Sequence, residues 1–261
     1  MINFEGKNVL VTGAAGAIGK GIAAGFRQYG GNVFLTDLKQ DGVDKAVADI
    51  QPAGQGLAGG LAGDVIRAND VQKVVAAAAK LFNNKIDILV NVAGIVGQGK
   101  VEELSVEEWD RMFAVNCRGA FLLIKHVVPL MKARKYGKIV SFSSKSGKTG
   151  SALMSHYSAA KAAIIGLTQA LAFELAPTIR VNCVCPGITE NTGVWSNVSK
   201  DYVDNLKLPI SEVVKKFTSK VPLGRLATVE DVVAVTTFLA SDAAAYLTGQ
   251  AINITGGREM H

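Results

Sequence analysis

A chain of 261 residues suits one large domain or two small ones and can bury a substantial core. Apolar residues make up 49% and charged residues 19%, and the 28 glycines against 6 prolines fall at the ends of apolar runs, which excludes a disordered or fibrous chain. The net charge of +6 comes without a lysine-rich tract interleaved with aromatics, so nucleic acid is not an expected partner.

Cys117, Cys183 and Cys185 are too few for a disulfide framework, and the last two sit on one face of an expected strand, where they do not bridge comfortably. Three histidines, none near a cysteine, give a metal site poor support. The opening MINFEGK lacks the apolar core of a signal peptide, and no uncharged apolar run is long enough to cross a membrane. The expectation is a soluble cytoplasmic protein with no membrane partner.

In chain order, short β-branched runs alternate with longer helical patterns. Residues 7–12 (KNVLVT), 32–37 (NVFLTD), 87–92 (DILVNV), 138–143 (KIVSFS), 179–185 (IRVNCVC) and 251–255 (AINIT) read as strands, with a weaker glycine-rich candidate at 57–62. They are apolar on both faces, as buried parallel strands are. Helical patterns occupy 17–29, 71–82, 106–134, 155–175 and 229–240. This alternation predicts an α/β fold: a single domain over 1–261, built as a doubly wound, Rossmann-like parallel sheet. Residues 189–220 break it with two short helical stretches separated by Pro209. An insertion after the strand ending at Cys185 falls over the crevice at the carboxyl ends of the strands, so it is expected to be a small helical substrate lid; the alternative is a surface hairpin with no role.

The run VLVTGAAGAIGKGIA joins the first strand to the first helix. Gly13, Gly16 and Gly19 let the backbone turn tightly and approach a pyrophosphate, whose charge a helix N-terminus stabilises. Asp37, eighteen residues beyond Gly19, ends the second strand, where a carboxylate accepts hydrogen bonds from the adenosine ribose. The same charge repels a 2′-phosphate, and neither Ala14 nor Ala15 is basic, so NAD is expected over NADP. The competing role for Asp37 is a helix cap. Asp64, after the weak third strand, is read either as a contact to the adenine edge or as an ordinary cap.

Tyr157 and Lys161 are four apart on a helix and share a face. Such a pair alone is usually a solvated surface. Here it follows a glycine-rich turn and Ser144, thirteen residues upstream at the end of a strand. A nearby ammonium and an oxidised nicotinamide both favour the phenolate, so Tyr157 can exchange a proton with an alcohol as hydride moves.

With these residues in view, the chain resembles the short-chain dehydrogenase/reductase family from end to end. TGAAGAIG (12–19) matches the family's T-G-x-x-x-G-x-G, NVAG (91–94) its N-N-A-G, and YSAAK (157–161) its Y-x-x-x-K; CPG (185–187) and TGQAINITGG (248–257) also fit. The resemblance implies that Asn116 is a fourth catalytic member beside Ser144, Tyr157 and Lys161, shaping the helix backbone to hold a water in a proton relay with Lys161. It implies that Lys161 also binds the nicotinamide ribose and that Ile188 covers the carboxamide. The expected cofactor contacts are Gly13, Ala17, Ile18, Gly19, Asp37, Asp64, Asn91, Ala93, Gly94, Tyr157, Lys161, Pro186, Gly187 and Ile188. Two positions depart from the pattern: Ala17 replaces the middle glycine, and Val92 the second asparagine.

The run SKSGKTGS (144–151), the segment 207–225 and the ending INITGGREMH are similar to sugar-alcohol and sugar-alcohol-phosphate dehydrogenases of the family. Lys145 and Lys148, just after Ser144, are candidate contacts to a polyol hydroxyl or a phosphate, with solvated loop lysines as the alternative. His156 is expected on the helix surface. The small residues Ser158, Ala159, Ala162, Ala163 and Gly166 permit close approach of another helix, and the resemblance implies a homotetramer. The expected substrate is a small secondary alcohol or ketone, a sugar alcohol or its phosphate. The alternatives are a 3-oxoacyl-carrier-protein reductase, a vicinal-diol dehydrogenase, or a non-catalytic dinucleotide-binding regulator.

Overall fold

The structure is a computed structural model, and it describes residues 2–193 and 209–261. The seven apolar runs form one parallel sheet: β1 (Asn8–Thr12), β2 (Asn32–Thr36), β3 (Ala58–Gly60), β4 (Ile88–Asn91), β5 (Gly137–Phe142), β6 (Ile179–Pro186) and β7 (Ala251–Ile254). Their order is β3-β2-β1-β4-β5-β6-β7, with registers such as Val9 opposite Val33 and Ile88. The order reverses between β1 and β4, and in such sheets the ligand crevice opens there, beyond the carboxyl ends of the strands.

Alternation along each strand splits the core in two. Val9 and Val11 face one layer with Ile22 and Phe26 of α1 (Ala17–Gln28), Val43 of α2 (Gln40–Ile50) and Val232 of α9 (Val229–Ala240). Leu10 and Leu89 face the other, with Val75 of α3 (Ala68–Leu81), Val127 of α5 (Gly119–Ala133) and Leu175 of α7 (Ser155–Leu175).

The helix expected over 106–134 is continuous but not uniform. It runs as α4 (Val106–Phe113), a π-helical turn (Ala114–Arg118) and α5. The stretch Val106–Ala133 is long and apolar enough to cross a membrane by composition alone. Its inner face packs Leu123, Ile124, Val127 and Met131 into the second layer of the core.

Two helices were not expected from the sequence. In α2 the apolar residues Val43, Ala46, Val47 and Ile50 have helical spacing, but charged residues and a glycine obscure it. The other is the five-residue α6 (Lys145–Thr149), capped by Ser144, whose hydroxyl accepts the Ser146 N–H at 3.1 Å. Of the expected lid, 194–208 lies outside the described residues. Beyond it, Pro209 starts α8 (Ile210–Thr218), which is amphipathic and buries Val213.

Candidate active site

The β1–α1 turn is shaped by glycines at two positions where nothing else fits. Gly13 has φ +64° and lies so near the Ala93 backbone that a Cβ would sit 2.8 Å from Ala93 Cα. At Gly19 a Cβ would overlap the Gly13 carbonyl. The N-cap of α1 is Gly16, with no side-chain cap and no acidic residue in the first turn, so the helix N-terminus is free for an anion. Ala17, in place of the family's glycine, simply begins the helix.

Asp37 stands against this turn. One of its carboxylate oxygens accepts the Ala15 N–H at 2.9 Å and the other accepts its neighbour Leu38's N–H at 2.7 Å. Its acidic group is therefore held at the mouth of the turn. Asp64 accepts the Ile66 N–H at 3.1 Å, two residues on, and faces Arg67 at 3.6 Å; this is a turn ahead of α3, whose N-cap is Arg67 and not Asp64.

Along the same edge, a cavity of about 400 Å³ is lined by Ile18, Asn116, Ser144, Tyr157, Lys161 and Ile188, with Gly94, Pro186 and Gly187. Three elements position the polar side chains: the π turn carries Asn116, the β5–α6 junction Ser144, and α7 both Tyr157 and Lys161. Asn116 sits in the π turn, its amide donating to the carbonyls of Ile95 (2.9 Å) and Met112 (3.1 Å) and its oxygen accepting the Ile95 N–H (3.2 Å). π turns of this kind gather at functional sites because they redirect backbone groups. Lys161 Nζ donates to the Phe142 carbonyl at 2.9 Å and lies 5.8 Å from the centre of the Tyr157 ring. A Cβ at Gly94 would lie 2.6 Å from Asn116 Oδ1 and 3.2 Å from Lys161 Nζ, so glycine there lets the β4 edge close on the pair.

Burial sets the electrostatics. It holds the Tyr157 phenol above its ordinary range, opposed by a hydrogen bond with Ser144. It also lowers Lys161 to about 8, with Cys185, Cys183 and Cys117 opposing the shift. Burial thus moves the phenol up and the ammonium down, so each neutral form is favoured in this cavity, and both groups are perturbed as at a functional site.

Several buried polar atoms at this edge have no hydrogen-bond partner among the described residues: Thr36 Oγ1 at the end of β2, Asn91 Oδ1 at the end of β4, and Thr189 Oγ1 just after β6. Thr189 also lines the cavity. Orphaned groups beside a glycine cradle and a free helix N-terminus fit a bound nicotinamide dinucleotide.

The family description "Enoyl-(Acyl carrier protein) reductase" matches residues 13–259. The chain belongs to the short-chain dehydrogenase/reductase family. An uncharacterized oxidoreductase of Thermotoga maritima is 40% identical over 257 residues, covering 98% of both chains. An actinorhodin polyketide ketoreductase solved with NADPH is 34% identical, has a TM-score of 0.93 and covers 98% of both chains. An NAD+-bound xylitol dehydrogenase is 31% identical, has a TM-score of 0.91, and the match covers 97% of this chain and 99% of that one. This family member is thus an oxidoreductase of a kind that binds a nicotinamide dinucleotide and acts on CH–OH groups.

Two readings of the sequence need correction. Lys148 does not line the cavity: its Nζ donates to the Ala251 carbonyl of β7 at 2.7 Å. His156 is not a surface residue, since it is buried 2% exposed where α7 meets the loop after β4, with Nε2 2.8 Å from where a Cβ on Gly97 would lie. Burial lowers its pKa, with Glu108 opposing the shift. Lys145 does line the cavity. So do Arg258 and Thr189. All three cysteines are free.

Proposed function

We propose that this family member is an NAD-dependent dehydrogenase interconverting a secondary alcohol and a ketone on a sugar alcohol or its phosphate. The observation that carries this reading is the convergence of Ser144, Tyr157, Lys161 and Asn116 on one cavity beside a glycine cradle guarded by Asp37. Bound nicotinamide supplies a hydride acceptor or donor. The chain's own groups do the rest. Ser144 holds the substrate oxygen, and Tyr157 takes its proton in oxidation or returns it in reduction. The Lys161 ammonium stabilises the phenolate and, with the turn around Asn116, passes the proton outward. Gly13, Gly19 and the free N-terminus of α1 receive the pyrophosphate, Asp37 receives the ribose hydroxyls and disfavours a 2′-phosphate, and Pro186, Gly187, Ile188 and Thr189 bound the nicotinamide end.

The similarity to the NAD+-bound xylitol dehydrogenase supports the polyol reading. The similarity to a polyketide ketoreductase solved with NADPH favours a second one, reduction of a carrier-bound 3-oxoacyl group, and Asp37 argues against its cofactor. Exposed Trp109, Phe121 and Phe173 on α4, α5 and α7 support the proposed assembly into a homotetramer, and the proposed location is the cytoplasm. The test is reduction of NAD or NADP by a panel of sugar alcohols, their phosphates and small diols, alongside ketone reduction by NADH or NADPH. NAD-linked turnover of a polyol is expected; turnover confined to NADPH and 3-oxoacyl thioesters would replace the reading with the second one.

A further inference from the structure

The cavity has a second charged corner that the proton chemistry does not use. After β7, Gly256 (φ +63°) and Gly257 (φ +90°) turn the chain back on itself. The Thr255 carbonyl accepts the Arg258 N–H at 3.2 Å, and the Thr255 hydroxyl accepts the Glu259 N–H at 3.3 Å. Asn253 Nδ2 donates to the Glu259 carbonyl at 3.0 Å. This fold-back directs Arg258 and Glu259 toward Lys145 on α6, the residue that follows Ser144. Glu259 Oε1 lies 3.2 Å from Arg258 Nε and 3.7 Å from Lys145 Nζ. The side chains of all three are largely withdrawn from solvent, at 23%, 18% and 10% exposed for Arg258, Lys145 and Glu259.

Two cations here share one carboxylate, whose other oxygen, Glu259 Oε2, is buried with no hydrogen-bond partner among the described residues. Among the described residues, Lys145 has one further side-chain contact, a long 3.4 Å bond to the Gly150 carbonyl. Among the described residues, the nearby charges do not cancel the surplus. Exposed Lys220 adds positive field at Lys145, while Arg225 is taken up by Asp231, with Nη2 2.9 Å from Oδ1 and a second, shorter contact. Burial and the neighbouring cations together lower the Lys145 pKa despite Glu259. Lys145 and Arg258 line both the main cavity and a small adjoining recess of about 30 Å³.

We propose that Lys145 and Arg258 form an anion subsite, and that the substrate carries a carboxylate or phosphate close to its reacting carbon. The inference rests on the oxidoreductase reading of the same cavity and narrows its substrate class. Ser144, Tyr157, Lys145 and Arg258 line one cavity of about 400 Å³, so an anion held by the two cations and an oxygen held by Ser144 belong to one small molecule. Glu259 preorganises the two cations and limits their affinity for the incoming anion, which gives the three residues opposite signs.

The test uses whole protein loaded with NADH, following the fluorescence of the bound nucleotide while inorganic phosphate or acetate is added. Saturable binding is expected. Lys145→Gln and Arg258→Gln should each weaken it about ten- to a hundredfold, the scale of a charge-assisted hydrogen bond. Glu259→Gln should strengthen it several-fold, which a merely structural role for Glu259 would not do. Tighter binding of acetate assigns a carboxylate substrate, and tighter binding of phosphate a phosphate monoester. NADH affinity in each variant reports an intact fold. If one glutamine variant loses it, the other two decide. No saturation with either anion, or affinities unmoved by both cation variants, or weakening by Glu259→Gln, would overturn the subsite. If alcohols are still oxidised in a Tyr157-dependent way, that result leaves the reaction assignment standing; without nucleotide-dependent turnover the reaction assignment falls instead.

Discussion

The two edges of the sheet are built from similar residues and end in opposite states. At the amino edge, Asp87 accepts the Asn8 N–H at 2.9 Å and pairs with Arg134 at 2.6 Å, Asn8 donates to the Lys85 carbonyl, and Asn32 donates to Asn8 at 2.9 Å. Lys138 meets Asp242 at 2.6 Å. Among the described residues there, the Tyr136 hydroxyl is the exception without a partner, and its ring lies under Lys7 and Lys138. At the carboxyl edge, Thr36, Asn91 and Thr189 leave atoms unpaired, a π turn interrupts a helix, and burial moves the pKa values of Tyr157 and Lys161. Closed polar networks hold a fold; open ones await a ligand. The difference separates structural from functional polarity without reference to residue type.

The sharpest way to break this comparison is to cut the closed network. Asp87→Ala removes a buried carboxylate that serves Arg134 and a backbone N–H, and should lower stability by about 3 kcal/mol, because Arg134 is partly solvated and the loss falls at the low end for buried pairs. Turnover per folded molecule should stay within about twofold. A denaturation curve and an active-site titration check both halves; a stable but inactive variant would place function at the wrong edge.

At the open edge, Asp37→Ala should shift the NADP/NAD ratio of specificity constants by about ten- to a hundredfold, since it removes the ribose acceptor and a partly screened repulsion. An unchanged ratio would show that the bonds to Ala15 and Leu38 are its whole role. The pH dependence follows from Tyr157. With the phenol held above its ordinary value, alcohol oxidation, which needs phenolate, should climb with pH by up to about tenfold per unit through the neutral range. Ketone reduction, which needs the phenol, should not climb over the same range. Profiles with the reverse slopes would reassign the acid–base group. Smallest of all, Lys148→Ala should move the Michaelis constant less than about twofold and cost about 1 kcal/mol, the worth of its bond to Ala251. A larger kinetic effect would return Lys148 to the substrate.

Local rules made most of the fold legible. Strands apolar on both faces declare a buried parallel sheet, and the spacing of Tyr157, Lys161 and Ser144 along one helix and one strand end places them together. What sequence could not reach was set by distant chain. Lys145 and Lys148 lie one turn apart on α6, yet only Lys145 faces the cavity, because β7 offers Lys148 a carbonyl. Arg258 joins the site through a fold-back held by Asn253 and Thr255. His156 is buried because the loop after β4 covers it at Gly97, a contact no helical periodicity reports. The α2 helix was hidden by its polar face rather than by a lack of pattern.

The account rests most directly on Tyr157 as the proton donor and acceptor at the open edge. Tyr157→Phe keeps the ring that packs with Met112 and Ala160 and removes only the hydroxyl. Turnover in both directions should fall by at least about a hundredfold, while the melting transition and the NADH dissociation constant stay close to those of the parent chain. A variant that keeps more than about a tenth of the parent activity would contradict the mechanism.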